Sequence, residues 1–168
     1  MIPALLLSGL LVAPLRAQAP VRGVPGAFEC RIDASWTAKD LWGSRFPLYA
    51  FVRADGATIS IERFPRGNAL HPTPAAFEAS LTAASLPPKE RARRSEPMVV
   101  EGGARPTWAR RFPRAPASSR GAPVWMTERI VLLASRADYL VLRYRAKDPR
   151  PEEFAAFLRT FRRLSETP

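Results

Sequence analysis

Cysteine and histidine, the side chains best suited to nucleophilic or metal chemistry, each occur once in this chain. Cys30 alternates with Glu29 and Arg31, a period-two pattern that predicts a small buried residue on one face of a strand. His71 precedes a proline and is predicted to lie in a loop. Because a catalytic triad or a zinc site requires several such groups, the sequence predicts no catalytic residue, no metal site and no cofactor.

The carboxylates of the sequence, and its lack of glycine-rich catalytic motifs, also predict no catalytic site. The chain contains no Gly-x-Ser-x-Gly, Gly-x-x-x-x-Gly-Lys or Gly-x-Gly-x-x-Gly, the motifs of hydrolase, P-loop and dinucleotide sites. Glu152 and Glu153 are predicted to lie in the first turn of a helix, where negative charge is favourable. Asp33, Asp40 and Glu62 are predicted to be isolated at the surface. The sequence therefore indicates a protein that is not an enzyme.

Arginine carries most of the charge. The 168 residues include 26 Lys and Arg against 15 Asp and Glu, a formal net charge of +11, and all but three of the basic residues are arginine. The codons of Ala, Pro and Arg are rich in G and C, so coding bias is one source of arginines that bind no partner. The excess is greatest in residues 86–121, which hold nine basic and three acidic residues.

The arginines of residues 86–121 are the candidate anion-binding residues. A guanidinium group offers a planar, bidentate fork to phosphate, sulfate or sugar-acid groups, and Trp108 and Phe112 are interleaved with these arginines. The alternative is a solvated loop enriched in arginine by composition alone. The candidates are Arg91, Arg93, Arg94, Arg110, Arg111 and Arg114.

The amino-terminal residues have the composition of a secretory signal. Residues 4–15 are mostly apolar, and Ala17 and Ala19 are the small residues that signal peptidase requires. The apolar run is shorter than the roughly 20 residues of a membrane span. We therefore expect cleavage after Ala19, export to the periplasm or the extracellular space, and no transmembrane anchor in the mature chain. The alternative is a leader retained by a cytosolic protein.

The remaining residues predict strands and helices in the order β-β-β-α-β-β-β-β-α. Asp55-Gly56 predicts a tight hairpin turn between the second and third strands. Helices are predicted over 73–85, with Thr73 as the N-cap, and from 148 onward. Alternating apolar residues predict strands over 28–33, 46–54, 57–64, 97–102, 106–112, 124–134 and 139–146.

The last hairpin and the last helix have the clearest patterns. In the final strand, aliphatic residues and Tyr144 share one face while Arg143 and Arg145 share the other, which predicts a hairpin with one face in water. The helix that follows has an apolar stripe at helical spacing, formed by Phe154, Phe157, Leu158, Phe161 and Leu164.

These elements predict the α+β class, a mostly antiparallel sheet of about six or seven strands packed with two helices. We expect a signal peptide over 1–19, a short leader over 20–26 and a single domain over 27–165. Residues 113–123 are rich in Pro, Ala, Ser and Arg, and they are predicted to form an exposed loop.

The closing unit of the chain resembles the PsbP-like α/β sandwich superfamily. In that family the last strand runs from a tyrosine through alternating aliphatics to a second tyrosine, and the next helix closes with a phenylalanine, as Tyr139, Tyr144 and Phe161 do here. At the amino-terminal end of the domain, Gly26-Ala27-Phe28 opening a strand and Trp36 just after it also resemble the family. Residues 33–35 lack the proline that the family often has before the tryptophan. The resemblance implies a non-enzymatic accessory or binding domain, often secreted, and it carries over no ligand-binding residue.

Two functions remain open. The first is an exported, non-catalytic accessory domain that docks on another envelope or secreted protein through a face of its sheet. The second is a module that binds a polyanion, such as lipid phosphate headgroups, acidic glycans or nucleic acid, through residues 86–121, and whose affinity falls steeply with salt. The sequence does not specify the oligomeric state.

Overall fold

The computed structural model describes residues 19–82, 99–101, 106–114 and 124–164. Within these ranges it contains ten strands and two helices, and the predicted α+β class is confirmed. The helices are α1 (Pro74–Thr82) and α2 (Pro151–Thr160). The strands are β1 (Val21–Val24), β2 (Phe28–Arg31), β3 (Trp36–Leu41), β4 (Leu48–Arg53), β5 (Thr58–Pro65), β6 (Val99–Glu101), β7 (Thr107–Arg114), β8 (Val124–Ala134), β9 (Asp138–Ala146) and β10 (Arg162–Arg163).

Seven of the strands form one antiparallel sheet in the order β3-β4-β5-β9-β8-β7-β6. Hairpins place chain neighbours side by side, and Gly56, with a φ of 83°, gives the tight turn between β4 and β5 that the sequence predicts. The centre of the sheet joins distant parts of the chain, because β5 pairs with β9 from Thr58 opposite Arg145 to Pro65 opposite Asp138.

The first face of this sheet is covered by α2 and by β2. Phe154 of α2 stacks on Tyr144 of β9, with ring centroids 5.5 Å apart, and Phe157 meets Phe51 edge to face. Phe28 of β2 is buried in the same cluster. Since burying a phenylalanine side chain contributes about 1.5–3 kcal/mol, these rings make α2 a principal support of the sheet.

The second face is half covered by α1, so the prediction that the last hairpin has one face in water is wrong for the half that carries Tyr139 and Val141, whereas Arg143 and Arg145 are partly exposed. Phe77 of α1 packs against Phe64 and Tyr139, and Tyr139 and Val141 of β9 are fully buried. Thr73 caps α1 as predicted, accepting a hydrogen bond from the Ala76 N–H at 3.1 Å. Alternation shows which residues share a face, but it does not show whether another layer covers that face.

A second, three-stranded sheet has β2 at its centre, with β1 on one side and β10 on the other. The sequence predicts β2 alone. Val21–Val24, predicted as a leader, pair with β2 instead. The predicted apolar helix stripe also ends early: α2 stops at Thr160, Phe161 is extended but still buried, and Arg162 pairs with Glu29.

Several other boundaries differ from the predictions. Trp36 begins β3 and pairs with Arg53, whereas the sequence places it beyond the first strand. Pro113 and Arg114, predicted in the exposed loop, lie in β7 opposite β8. The rest of that predicted loop, residues 115–123, lies outside the described residues.

Candidate functional site

Three of the six predicted anion-binding arginines fall within the described residues, and the structure places Arg110 and Arg111 on opposite faces of the sheet. Arg110 and Arg111 are neighbours on β7, so their side chains leave opposite faces of the sheet. The guanidinium carbon of Arg111 lies 5.4 Å from the ring centroid of Trp125. Arg114 ends β7. The others, Arg91, Arg93 and Arg94, lie outside the described residues.

Arg110 belongs instead to a group of charged residues on the second face that we call the Glu128 cluster, formed by Glu128 with Arg110, Arg143 and Arg145. The Nε atoms of Arg110 and Arg145 donate to the two oxygens of Glu128, at 2.8 and 2.7 Å. The Nε atom of Arg143 lies 3.6 Å from Oε1. Glu128 itself is completely buried, which a carboxylate tolerates only when it is paired.

Strand register builds this cluster. Arg110 of β7, Glu128 of β8 and Arg145 of β9 are direct cross-strand neighbours on the same face. Phe112, two residues along β7, lies against both outer arginines, whose guanidinium carbons are 5.4 and 5.8 Å from its ring centroid. The aromatic ring and the carboxylate together fix the orientation of two guanidinium planes.

The arginines keep Glu128 ionised. Burial opposes the charged form, but the positive charges of Arg145, Arg110 and Arg143 outweigh it and lower the pKa of Glu128 below its ordinary value. The carboxylate therefore carries its charge at neutral pH and serves as the fixed centre of the cluster.

An apolar cleft opens on the same face, between the β3–β4 connection and the segment that leads from β5 to α1. Its volume is about 350 Å³. Phe46 and Leu70, which are 72% and 74% exposed, are the most exposed large hydrophobic residues in the described part of the chain, and both line this cleft. We call it the Phe46–Leu70 cleft; its other lining residues are Arg45, Pro47, Leu48, Glu62, Arg63, Phe64, Pro65 and Asn68.

Local hydrogen bonds hold both walls of the cleft. On one side, Oδ1 of Asn68 accepts the backbone N–H groups of Leu70 and His71, at 3.1 and 2.8 Å. On the other, the N–H of Arg63 donates to the carbonyl of Pro47 at 3.1 Å. Phe46 and Leu70 are exposed on segments that are themselves anchored, so their exposure belongs to the folded state.

A larger cavity of about 870 Å³ lies between α2 and the turns that follow β2 and β4. Arg53 is the central polar residue of the cavity lining. The guanidinium group of Arg53 lies over the ring of Trp36 and donates hydrogen bonds to Asp55 and Glu153, each at 2.6 Å. The hydrogen bond from Arg53 holds the pKa of Asp55 at about 2. Three arginines and three acidic residues line the cavity, so it offers no net charge to a ligand. Glu153 thus has a partner beyond its predicted helix-start role.

Cys30 and His71 lie where the sequence places them. Cys30 is buried on β2, and burial raises the pKa of its thiol to about 12, so it is protonated and unreactive at neutral pH. His71 lies in the loop before α1, with its ring against Phe64 and Phe77. Across the described ranges, no three His, Cys, Asp or Glu side chains are grouped so as to hold a metal ion.

Sequence reasoning missed Glu128, Phe46 and Leu70. Glu128 alternates in register with Met126 and Ile130, a charged residue on an otherwise apolar strand face, and that break in the pattern is the signal that could have marked it. Phe46 is predicted as the first residue of a strand over 46–54, but β4 begins at Leu48 and leaves Phe46 in the connection before it. Leu70 stands in a short segment with Gly67, Asn68 and Pro72, where a large apolar side chain has no helix or strand of its own to pack on.

The described residues form an α+β fold with an apolar cleft and a cluster of charged residues around the buried Glu128. Among solved structures, a protein of Bacteroides thetaiotaomicron VPI-5482 has a similar fold, with a TM-score of 0.55 and 14% sequence identity. The match covers 89% of this chain and 50% of that protein, so the chain spans about half its length. No protein-family model and no curated protein matches the chain. At 14% identity, the likeness concerns the fold alone.

None of the helices in the described residues is long and apolar enough to cross a membrane.

Proposed function

We propose that this protein is a non-enzymatic, exported binding domain whose Phe46–Leu70 cleft receives an apolar side chain from an acidic segment of a partner protein. The observation that carries the proposal is the pairing of the two most exposed large hydrophobic residues of the described chain across one concave site. Large exposed apolar groups that converge on a concavity are typical of interaction sites, whereas singly scattered ones are ordinary.

The size of the cleft suits one or two side chains of a partner. Its volume of about 350 Å³ lies near the lower end of the about 300–1,000 Å³ range of small ligand sites. Leu48 lines the cleft and its cross-strand partner Leu41 is exposed on β3, so apolar surface continues from the cleft onto the edge of the sheet. A partner segment would find further apolar contact there.

Charge favours an acidic partner. The guanidinium of Arg45 lies 5.5 Å from the ring centroid of Phe46, at the rim of the cleft. The one acidic residue in the lining, Glu62, faces Arg143, with the Nη1–Oε1 pair 3.8 Å apart. With a formal net charge of +11 over the whole chain, long-range attraction would also speed the approach of an acidic surface.

The test uses fluorescent synthetic peptides and the full chain. The first peptide alternates Leu and Phe with Asp and Glu; in a second, Ser replaces the apolar residues; in a third, Lys replaces the acids. We expect saturable binding of the first peptide alone, weakened by salt. The Phe46→Ser, Leu70→Ser double variant should bind more than tenfold more weakly, because burial of each side chain contributes more than 1.4 kcal/mol.

The matched control removes two comparably exposed apolar side chains outside the cleft. Val21→Ser with Val100→Ser should leave peptide affinity unchanged, since these residues are 55% and 58% exposed and do not line the cleft. Equal binding by the cleft variant and the wild-type chain would overturn the proposal. So would a dimer in sedimentation that only the cleft variant dissociates, because a second copy would then be the occupant.

Export is the second part of the proposal, and the apolar residues 4–15 followed by Ala17 and Ala19 support it. Sequencing of the protein recovered from a bacterial envelope fraction should begin at Pro20. A protein that keeps Met1 and stays with the cytosolic fraction would contradict export without touching the cleft.

The family and polyanion hypotheses stand apart from this test. Kinship with PsbP-like proteins is part of our proposal and is supported by the pattern of Tyr139, Tyr144 and Phe161. Polyanion binding through residues 86–121 stays a prediction, because Arg91, Arg93 and Arg94 lie outside the described residues.

A further inference from the structure

The Glu128 cluster places three guanidinium groups around one carboxylate. The cross-strand row of Arg110, Glu128 and Arg145 fixes the two outer arginines. Arg143 lies two residues from Arg145 on β9, opposite Ile130. Their side chains are 28%, 40% and 18% exposed, so they combine a buried attachment with access to water.

The cluster contains more positive than negative charge. Glu128 lies within 3.6 Å of all three guanidinium groups. The nearest further carboxylate in the described residues, Glu62, stands 3.8 Å from Nη1 of Arg143, beyond hydrogen-bond distance. Three positive charges therefore face two negative ones in a partly buried setting, where an uncompensated charge is costly.

Hydrogen-bond donors remain in the same place. The Nε atom of Arg143 is buried and has no hydrogen-bond acceptor among the described residues. Arg110 uses its Nε atom on Glu128, and Arg145 uses Nε and Nη2. No hydrogen bond to another described residue occupies the Nη atoms of Arg110 or the Nη1 atom of Arg145. Because Phe112 lies against both outer guanidiniums, these donors are held in fixed planes.

We propose that the Glu128 cluster is a binding site for a tetrahedral oxyanion, a phosphate or sulfate group held between Arg110 and Arg145 and neutralised in part by Arg143. Guanidinium forks match the oxygen spacing of such groups in a bidentate manner. Glu128 orients the arginines and does not touch the anion. This site is distinct from the Phe46–Leu70 cleft and does not depend on the proposed function.

The experiment titrates the full chain with inorganic phosphate and with sulfate, against chloride at matched ionic strength. The readouts are calorimetry and the NMR signals of the arginine Nε–H groups. We expect saturable binding of phosphate and sulfate, with the signals of Arg110, Arg143 and Arg145 shifting together. The Arg110→Gln, Arg145→Gln double variant should bind at least tenfold more weakly.

The matched control removes the same charge elsewhere. Arg136 and Arg159 are exposed and outside the cluster, so Arg136→Gln with Arg159→Gln should leave the affinity unchanged. Where the Gln variant of the cluster fails to fold, Arg110→Lys with Arg145→Lys keeps the charge and removes the fork, and it too should bind more weakly than wild type.

Vesicles separate the two sources of a phosphate group. Cluster-dependent binding to phosphatidic acid in phosphatidylcholine, with no response to free phosphate, would support the site and assign it a lipid headgroup. Equal weakening in the cluster and control variants, or a chloride response equal to that of phosphate, would overturn the proposal.

Discussion

Glu128 has no access to water and meets three arginines, so its removal leaves their charges without a fixed partner. Loss of one member of a buried ion pair typically costs about 3–5 kcal/mol. Because Arg110 and Arg145 are partly solvated, we expect Glu128→Ala to lower the free energy of unfolding by about 3 kcal/mol, the lower end of that range. Urea denaturation measures this. As a control, Glu62→Ala removes an ion pair whose atoms are 3.8 Å apart, and it should lower the free energy of unfolding by less than about 1 kcal/mol. Equal losses of stability in the two variants would contradict this prediction.

Acid should weaken the fold through Glu128 and Asp138. Burial opposes ionisation of Asp138 as well, but hydrogen bonds from Arg163, Ser135 and Arg63 lower its pKa. A carboxyl group whose pKa is lower in the folded state contributes stability that is complete above its unfolded pKa and is lost as the pH falls through the folded pKa. Urea midpoints should therefore stay level from pH 7 to about 5 and fall below about 4. Asp138→Asn should flatten this fall, and an unchanged midpoint at pH 2 would contradict it.

Adjacent residues on one strand show why the site could be predicted only in part. The density of arginine along the chain marks Arg110 and Arg111 equally, yet one joins the Glu128 cluster and the other meets Trp125 on the opposite face. The other arginines of the Glu128 cluster, Arg143 and Arg145, lie on β9, which pairs with β8. The number of charges along the sequence contains no information about the register of that pairing.

At the scale of elements, β1 depends on one glycine. A Cβ at Gly23 would lie 2.1 Å from the carbonyl oxygen of Phe28, a backbone atom that cannot move aside cheaply. We expect Gly23→Ala to lower the free energy of unfolding by about 1–3 kcal/mol, as overpacking does. Gly43→Ala is the matched control, because a Cβ there meets nothing within 4 Å and should change stability by less than about 0.5 kcal/mol. Thermal unfolding of both variants decides the matter.

Elements formed by local contacts could be predicted, whereas those completed from a distance could not. The hairpin of β8 and β9 and the turn at Asp55-Gly56 follow from alternation and turn residues within a few positions. Gly23 and Pro25 have the composition of a linker, and only the presence of β2 beside them makes Val21–Val24 a strand. Likewise, β10 lies between Phe161 and Leu164, which continue the apolar spacing of α2, so the pattern predicts a longer helix in place of this strand.

At the scale of the whole molecule, the last described residues hold β10 to the large sheet through Arg163 and to the segment before β2 through Leu164. Arg163 of β10 donates to the buried carboxylate of Asp138 in the large sheet, and the Leu164 N–H donates to the carbonyl of Ala27 at 3.0 Å. A chain that ends at Phe161 should therefore unfold at lower urea concentration and be cleaved faster by protease. A chain that ends at Leu164 keeps both contacts and should match the full chain; equal sensitivity of the two truncations would contradict this.

The position of β2 between β1 and β10 has a consequence for the order in which the protein is made. A short turn joins β1 to β2, so this neighbour is synthesised just before β2. The other neighbour, β10, is synthesised more than 120 residues after β2 and follows α2. During synthesis, β2 therefore keeps one edge unpaired until β10 has been made. The three-stranded sheet is therefore completed only after α2 and β10 have been synthesised, so its formation depends on contacts between distant parts of the chain.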